Sequence, residues 1–483
     1  MTLPTYDPSM IGAVLPELLL LALAGLVMLV DLAGRGRRGL GWLSAAGFAA
    51  ILVLTLYFGR PTASQGMVFG GMLRHDGTSF AFKVLFLFCG AITCLLSLDV
   101  PRVGTRGEYY SLLIVATLGM CLMAGASDLI MLYLAIETTS IPLYVLAGFL
   151  KDDVKSVESG MKYFLFGAMT SAVMLYGFSL LYGATGQTNL YLLAEVIRGG
   201  QVSALFLGGV AVLILAGFGF KIAAVPFHFW TPDVYEGAPT PITAYISTAS
   251  KAAGFAVLVR FVLAFLPDVS PYWSAVLAAI ATATMTLGNL LALAQTNIKR
   301  LLAYSSIAHA GYALIGLVAL SEFGTASLVF YLAAYVVTNL AAFAIVILFA
   351  RSAGSDRIAD YAGLSRRSPG LALGMLVAML SLAGMPPLAG FVAKVYVFAA
   401  AVESGLIWLA VVGVLNAIVG LYYYLTVLKV VYLYRSDDEN KPIAVPRTYA
   451  LALLTCVVAI IGLGVVSAPW LGWAVRTAQS LFS

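Results

Sequence analysis

The chain has 483 residues, of which 61% are hydrophobic and only 10% charged. A soluble domain carries about a quarter charged residues, so this composition excludes a soluble globular protein and defines a polytopic membrane protein. The net charge of +5 is accounted for by basic residues in the connections between spans and calls for no nucleic acid.

Stretches of roughly 20 apolar residues suffice to cross a hydrocarbon core of about 30 Å. They predict fourteen transmembrane helices, at 10–31, 39–58, 79–98, 108–126, 128–150, 158–183, 203–227, 240–263, 271–294, 301–320, 325–350, 370–399, 405–433 and 447–470. These segments are too long and too rich in Leu and Ala for barrel strands of roughly 10 alternating residues, so the fold class is an all-α integral membrane protein. The first span has no basic flank before it and no small-residue cleavage pattern after it, and reads as a retained helix. The connection that follows, "GRGRRG" (Gly34 to Gly39), fits the dinucleotide fingerprint. That fingerprint works only between a strand and a helix of a βαβ unit; here it joins two membrane helices and is a basic loop.

Loops leading from odd- to even-numbered spans hold Arg35, Arg37, Arg38, Arg102, Arg106, Lys151, Lys155, Lys299, Arg300, Arg351, Arg357, Arg366, Arg367, Arg435, Lys441 and Arg447. The remaining loops and the C-terminal tail hold only Arg60, Arg74, Arg198 and Arg476. The positive-inside rule then places the first set in the cytoplasm and both termini on the outer, periplasmic side of a bacterial-type plasma membrane.

The other basic residues, Lys83, Lys162, Lys221, Lys251, Arg260, Lys394 and Lys429, fall in or near spans. At 1.5 Å per residue, Lys251 lies about 16 Å beyond the start of its helix and His309 about 15 Å beyond Lys299. Glu137 is likewise near mid-depth, between Asp128 and Lys151. Lys83, Arg260 and Lys429 are near span ends, where long side chains snorkel to the interface. Lys162, about two turns in, fits either a surface anchor or a residue on a proton uptake route. For Glu137, Lys221, Lys251 and Lys394, snorkelling would have to cover half the bilayer, and each such charge costs about 2.5–3.5 kcal/mol on insertion scales. A Glu–Lys pair fixing helix register is the bland account; a proton relay is the sharper one. A buried lysine titrates near neutrality and a nearby carboxylate pushes it back up, which arginine cannot do.

The seventh and twelfth spans are interrupted, by "GFGFKIAAVP" and "LAGMPPLAGFVAK". Backbone groups freed by Gly and Pro are tolerated at membrane depth only beside protein or cavity water. With spans 4–8 and 9–13 as two five-helix units, each break is fourth in its unit, and an odd helix number turns the second unit upside down, as in inverted-repeat transporters. The chain then divides into an N-terminal three-helix segment (1–107), a first unit (108–263), a second, inverted unit (271–433) and a C-terminal helix (434–483). Cys89, Cys94, Cys121 and Cys456 lie within spans without a C-x-x-C, and His75, His228 and His309 without ligand spacing. No metal or cofactor site is expected in this chain.

With these residues in view, the chain resembles the antiporter-like subunits of proton-pumping NADH:quinone oxidoreductase, respiratory complex I, and among them the N type (subunit 2 of the mitochondrial enzyme). The likeness covers nearly the whole chain. It is carried by "LAIETTSIPLYVL" (134–146), "SVESGMKYFLFGA" (156–168), "FKIAAVPFHFWTPDVYEGAPTPITAYISTASKAA" (220–253), "NIKRLLAYSSIAHAGY" (297–312) and "GMPPLAGFVAKVYVF" (384–398). It implies fourteen helices with two inverted units, and a relay of Glu137 paired with Lys221, then Lys251, His309 and Lys394. Lys162 and His228 match cytoplasmic-side polar residues of the family. A lysine at 394 departs from the M type, which has glutamate there, and the short C-terminal stretch departs from the L type with its lateral helix. The resemblance also implies membrane-arm partners including neighbouring antiporter-like subunits, with flavin, iron–sulfur clusters and quinone met only through the complex. The competing functions are a subunit of a multi-subunit cation/proton antiporter and a passive structural subunit.

Overall fold

The computed structural model describes residues 9–34, 39–61, 66–200, 202–265 and 271–482; Arg35, Arg37 and Arg38 of the basic loop lie outside them. Among the described residues thirteen helices are long and apolar enough to cross a membrane. The twelfth predicted span is instead two shorter helices, Pro369–Ala383 and Ala389–Glu403, so the fourteen expected crossings are all accounted for.

The differences lie at the ends. The sixth and eleventh spans run as Val154–Thr185 and Glu322–Ala353, beyond their apolar stretches. Polar turns outside the hydrocarbon continue a helix without adding hydropathy, and caps rather than composition stop them. Asp153 accepts from the Lys155 N–H at one start, and Gly186 and Gly354 close the two helices in the left-handed conformation. The last predicted span, 447–470, is Arg447–Val465, followed after Val466 by a second helix, Ser467–Phe482. Arg476 therefore lies in a helix, not a tail. A short amphipathic helix, Leu190–Arg198, and a two-residue hairpin, Met67–Val68 with Leu73–Arg74, were too brief to register in a hydropathy reading.

Thr240–Ala264, Ile298–Val318 and Glu322–Ala353 are the most enclosed helices, walled on nearly every face by the others. Leu15–Leu32, Leu40–Phe58 and Arg447–Val465 keep one side in the lipid, with Leu29, Tyr57 and Leu454 among their exposed side chains.

Two basic residues expected to snorkel do not. Lys83 is 5% exposed and its Nζ lies 2.7 Å from Glu17 Oε1 and 2.8 Å from the Ala13 carbonyl. Arg260 is 2% exposed and grips Asp76 with two N–H groups, at 2.8 and 3.0 Å, while donating to the Ala124 carbonyl at 3.0 Å. In both cases an acidic residue from another element reaches the cation, which makes inward pairing possible where depth alone suggested escape to the interface. Asp76 also caps Gly77–Ser97 in a reciprocal capping box with Ser79. Burial alone would raise its carboxyl, but Arg260 outweighs that and holds it below the ordinary carboxylate range. Lys429, by contrast, is exposed and sits over the Tyr434 ring at 5.5 Å. Asp76→Asn leaves the Arg260 guanidinium buried without a counter-charge and should cost about 3–5 kcal/mol. Thermal denaturation of the detergent-solubilised protein checks this, and a variant as stable as wild type would refute the pairing as a stabilising element.

Candidate functional site

The midplane residues are held by three kinds of local structure. Glu137 lies on Leu129–Ala147, a helix started by an Asp128 cap and carrying Pro142 inside it, which leaves the Thr138 carbonyl without its helical donor. Lys221 is in the last turn of Ala204–Ile222, which stops in a left-handed Ala223 whose N–H returns to the Gly219 and Phe220 carbonyls. The chain then runs without regular helix through Pro226 and His228 to Trp230–Gly237. Lys251 directly follows a π-helical turn, Ile246–Ser250, a feature the sequence reading did not anticipate.

Lys221 Nζ donates to Ser140 Oγ at 2.8 Å, one turn along from Glu137, while Glu137 itself accepts from the Ser171 hydroxyl. The expected pair of Glu137 and Lys221 is not closed into a direct ion pair: two serines take the contacts instead. The Lys221 stem packs where Gly254 leaves room; a Cβ there would lie 3.1 Å from Lys221 Cγ. Gly254 is one turn from Lys251 on the same helix. Lys251 Nζ donates to the Ser306 carbonyl at 2.9 Å and lies 6.0 Å from the centre of the Tyr235 ring.

Ser306 and His309 share the helix Ile298–Val318. His309 is flanked by two phenols, Nδ1 at 2.7 Å from Tyr331 Oη and Nε2 at 3.2 Å from Tyr424 Oη, and Tyr424 is also bonded to Ser305. A cavity of about 10 Å³, the size of a single water, lies between His309, Tyr331, Ser381 and Leu382. Lys394 Nζ donates to the carbonyls of Leu382, which lines this cavity, and Ala383, both at 2.9 Å, and sits 5.0 Å from the Tyr312 ring centre. These carbonyls end the half-helix Pro369–Ala383, where helical partners are lacking and the dipole favours a cation. Gly384 turns the chain at φ +86°, and a Cβ there would press on Lys394 Cδ at 2.9 Å.

Among the described residues neither Lys162 nor His228 hydrogen-bonds to this row. Lys162 joins a charged cluster with Glu158 at 2.7 Å and Asp233 at 2.6 Å. Arg300 ties the cluster to Ile298–Val318 through Asp233 at 2.8 Å and Glu236 at 3.1 Å, and Lys155 meets Glu236 at 2.8 Å. Burial would raise the Asp233 and Glu236 carboxyls, but these cations hold both below the ordinary range. His228 is buried in the connection before Trp230–Gly237, the helix that carries Asp233, with its ring 4.4 Å from Phe229. The four cysteines are free and buried, and among the described residues no three His, Cys, Asp or Glu side chains are grouped to hold a metal.

A search for charges missed the hydroxyls: Ser140, Ser171, Tyr331 and Tyr424 belong to the same row. The available signal was spacing. Ser140 is one helical turn from Glu137, and Ser305 and Ser306 are one turn from His309.

A helical membrane bundle with two interrupted helices, each giving a lysine to one buried polar row, is an antiporter-like membrane subunit. Residues 126–420 match the family model described as "NADH:quinone oxidoreductase/Mrp antiporter, TM". The chain is 46% identical over 449 residues to NADH-quinone oxidoreductase subunit N of Moorella thermoacetica, covering 92% of this chain and 93% of the relative. It is 43% identical over 456 residues to subunit N of Trichlorobacter lovleyi, covering 92% of each. A chain of respiratory complex I from Thermus thermophilus superposes with a TM-score of 0.79 at 36% identity, over 95% of this chain and 98% of that one. A chain of the Mrp complex from Dietzia sp. superposes with a TM-score of 0.83 over 96% of this chain and 52% of that one, but at 24% identity it shows the fold alone. The chain belongs to the family of N subunits of NADH-quinone oxidoreductase.

Gly384→Ala puts a side chain in a left-handed position at roughly 1–2 kcal/mol and pushes Lys394 off its carbonyls. The assembled complex should keep NADH oxidation by an artificial acceptor and lose most proton pumping; pumping at the wild-type rate would show that the seat of Lys394 is immaterial.

Proposed function

We propose that this chain translocates protons within the membrane arm of NADH:quinone oxidoreductase, driven by quinone reduction elsewhere in the complex. The relay is Glu137, Lys221, Lys251, His309 and Lys394, with Lys162 and His228 on the cytoplasmic uptake side. Other membrane-arm subunits are its partners, flavin and iron–sulfur clusters belong to them, and the site is a bacterial-type plasma membrane with both termini outside. The two five-helix units are related by inversion, so a break opening inwards at Lys221 has an outward-opening counterpart at Lys394.

One observation carries this reading: the hydrogen-bond partners of all three lysines are neutral and serve either protonation state. A carbonyl accepts from an ammonium or from an amine, and the Ser140 hydroxyl, an acceptor from the ammonium, can turn and donate to the amine lone pair. A neutral Lys394 keeps two N–H groups, matching its two carbonyl acceptors. His309 has a hydroxyl on each nitrogen, so either tautomer is satisfied and a proton can arrive on one side and leave from the other. Each of the three lysines thus keeps at least one partner before and after it gives up a proton. A structural ion pair would have been built otherwise, with a carboxylate closed on each cation as Asp76 is on Arg260.

The mechanism needs a trigger, and Glu137 is placed to supply it. Its carboxylate favours the charged form of Lys221; withdrawal or neutralisation of that charge releases the Lys221 proton towards Lys251. Transfer through His309 then loads Lys394, which discharges outward. Glu137→Gln should therefore assemble yet reduce both proton pumping and coupled quinone reduction. Lys394→Arg keeps the charge but cannot release a proton and should impair the same two rates. Reconstituted complex measured against NADH oxidation by an artificial acceptor decides the matter. Wild-type pumping in both variants would leave the chain a passive structural subunit.

A further inference from the structure

We propose that the chain binds an acidic phospholipid in a two-part groove between its N-terminal helices and its last two helices. The deeper part, a cavity of about 430 Å³, is bounded by Phe88, Val337, Ala459 and Gly462 and has almost wholly apolar walls. The shallower part, of about 590 Å³, carries Arg60 and Arg476. Leu56, Val84, Trp470 and Trp473 line both, so the two form one continuous groove.

Its walls are apolar nearly throughout, and two basic side chains edge the shallower part. Leu40–Phe58 ends just before Arg60, an exposed residue whose Nε donates to the Leu56 carbonyl at 2.8 Å. Arg60 and Arg476 are both exposed, and among the described residues neither is in an ion pair. Trp470 and Trp473 stand between the arginines and the apolar depth, the position of indoles at a membrane interface. A small anion would have no use for the apolar crevice, and a neutral lipid none for two exposed guanidinium groups. An acyl chain in the crevice with its phosphate at Arg60 and Arg476 uses both parts. Gly462 confirms the open space: a Cβ there would meet no atom within 4 Å.

The test uses the whole complex reconstituted in phosphatidylcholine, with a trace of lipid carrying a photoactivatable group in one acyl chain. The probe is phosphatidylglycerol in one arm and phosphatidylcholine in the other, and labelled peptides are mapped by mass spectrometry. Labelling on Gly77–Ser97 and Arg447–Val465 should favour phosphatidylglycerol roughly thirtyfold, the joint effect of two basic side chains near an anionic head group. The double substitution Arg60→Gln, Arg476→Gln should bring it down to the phosphatidylcholine level, and Gly462→Phe should abolish both. Equal labelling by the two probes in the wild-type complex, no labelling on these helices, or labelling unchanged by either substitution overturns the proposal. The wild-type comparison needs no substitution, so a variant that fails to assemble does not shield the proposal.

Discussion

Hydrocarbon offers no hydrogen-bond partner, so each polar group placed in it must be met by protein or by enclosed water. Everything unusual in this chain follows from how that demand is met. The buried cations divide into two kinds. Arg260 and Lys83 are closed on carboxylates, Asp76 and Glu17, and are fixed. Lys221, Lys251 and Lys394 rest on hydroxyls and carbonyls, partners that hold without fixing the charge. The same residue types thus meet carboxylates near the span ends and neutral partners at the centre of the bundle.

The second interrupted helix supplies such partners itself. A continuous helix spends its carbonyls on itself, so a lysine beside it finds few free acceptors. Ending Pro369–Ala383 inside the bundle exposes the Leu382 and Ala383 carbonyls, and Lys394, on the next half-helix, takes them. The first break works differently. Lys221 precedes its stop and reaches across to Ser140, while the connection after it is tied down by the Val225 N–H to Thr284 and the Trp230 indole to the Phe220 carbonyl. The two lysines are therefore alike in depth and setting but not in the source of their acceptors.

Much of this was legible in the sequence because hydrophobic length and stray charge are strong signals in a membrane protein. The spans, both breaks and the mid-depth charges follow from counting, and Lys221, Lys251, His309 and Lys394 are all buried with polar partners. What counting could not see was pairing between distant elements. Arg260 is near a span end and reads as a snorkelling residue until Asp76, far away in sequence, is known to face it. The serines and tyrosines of the row carry no charge, and hydroxyls abound in membrane helices, so nothing marked Tyr424 or Ser171 beforehand. The π-helical turn at Ile246–Ser250 is a matter of backbone register, which side-chain composition does not encode.

The helix Lys251–Phe265 joins two features described separately. At one end Arg260 is clamped by Asp76, and at the other Lys251 begins where the π-helical turn stops. The two residues are about two and a half turns apart, which places them on opposite faces. The clamp sets the rotational phase of the whole helix, so the Lys251 ammonium has a fixed azimuth towards Ser306. Any displacement that moves Lys251 must then be absorbed on the other side, where a π-turn can give up its extra residue and pass a register shift along the backbone. In mechanical language this helix is a stator: anchored by an ion pair at Arg260, met at its start by a π-turn, and carrying the middle lysine between the two.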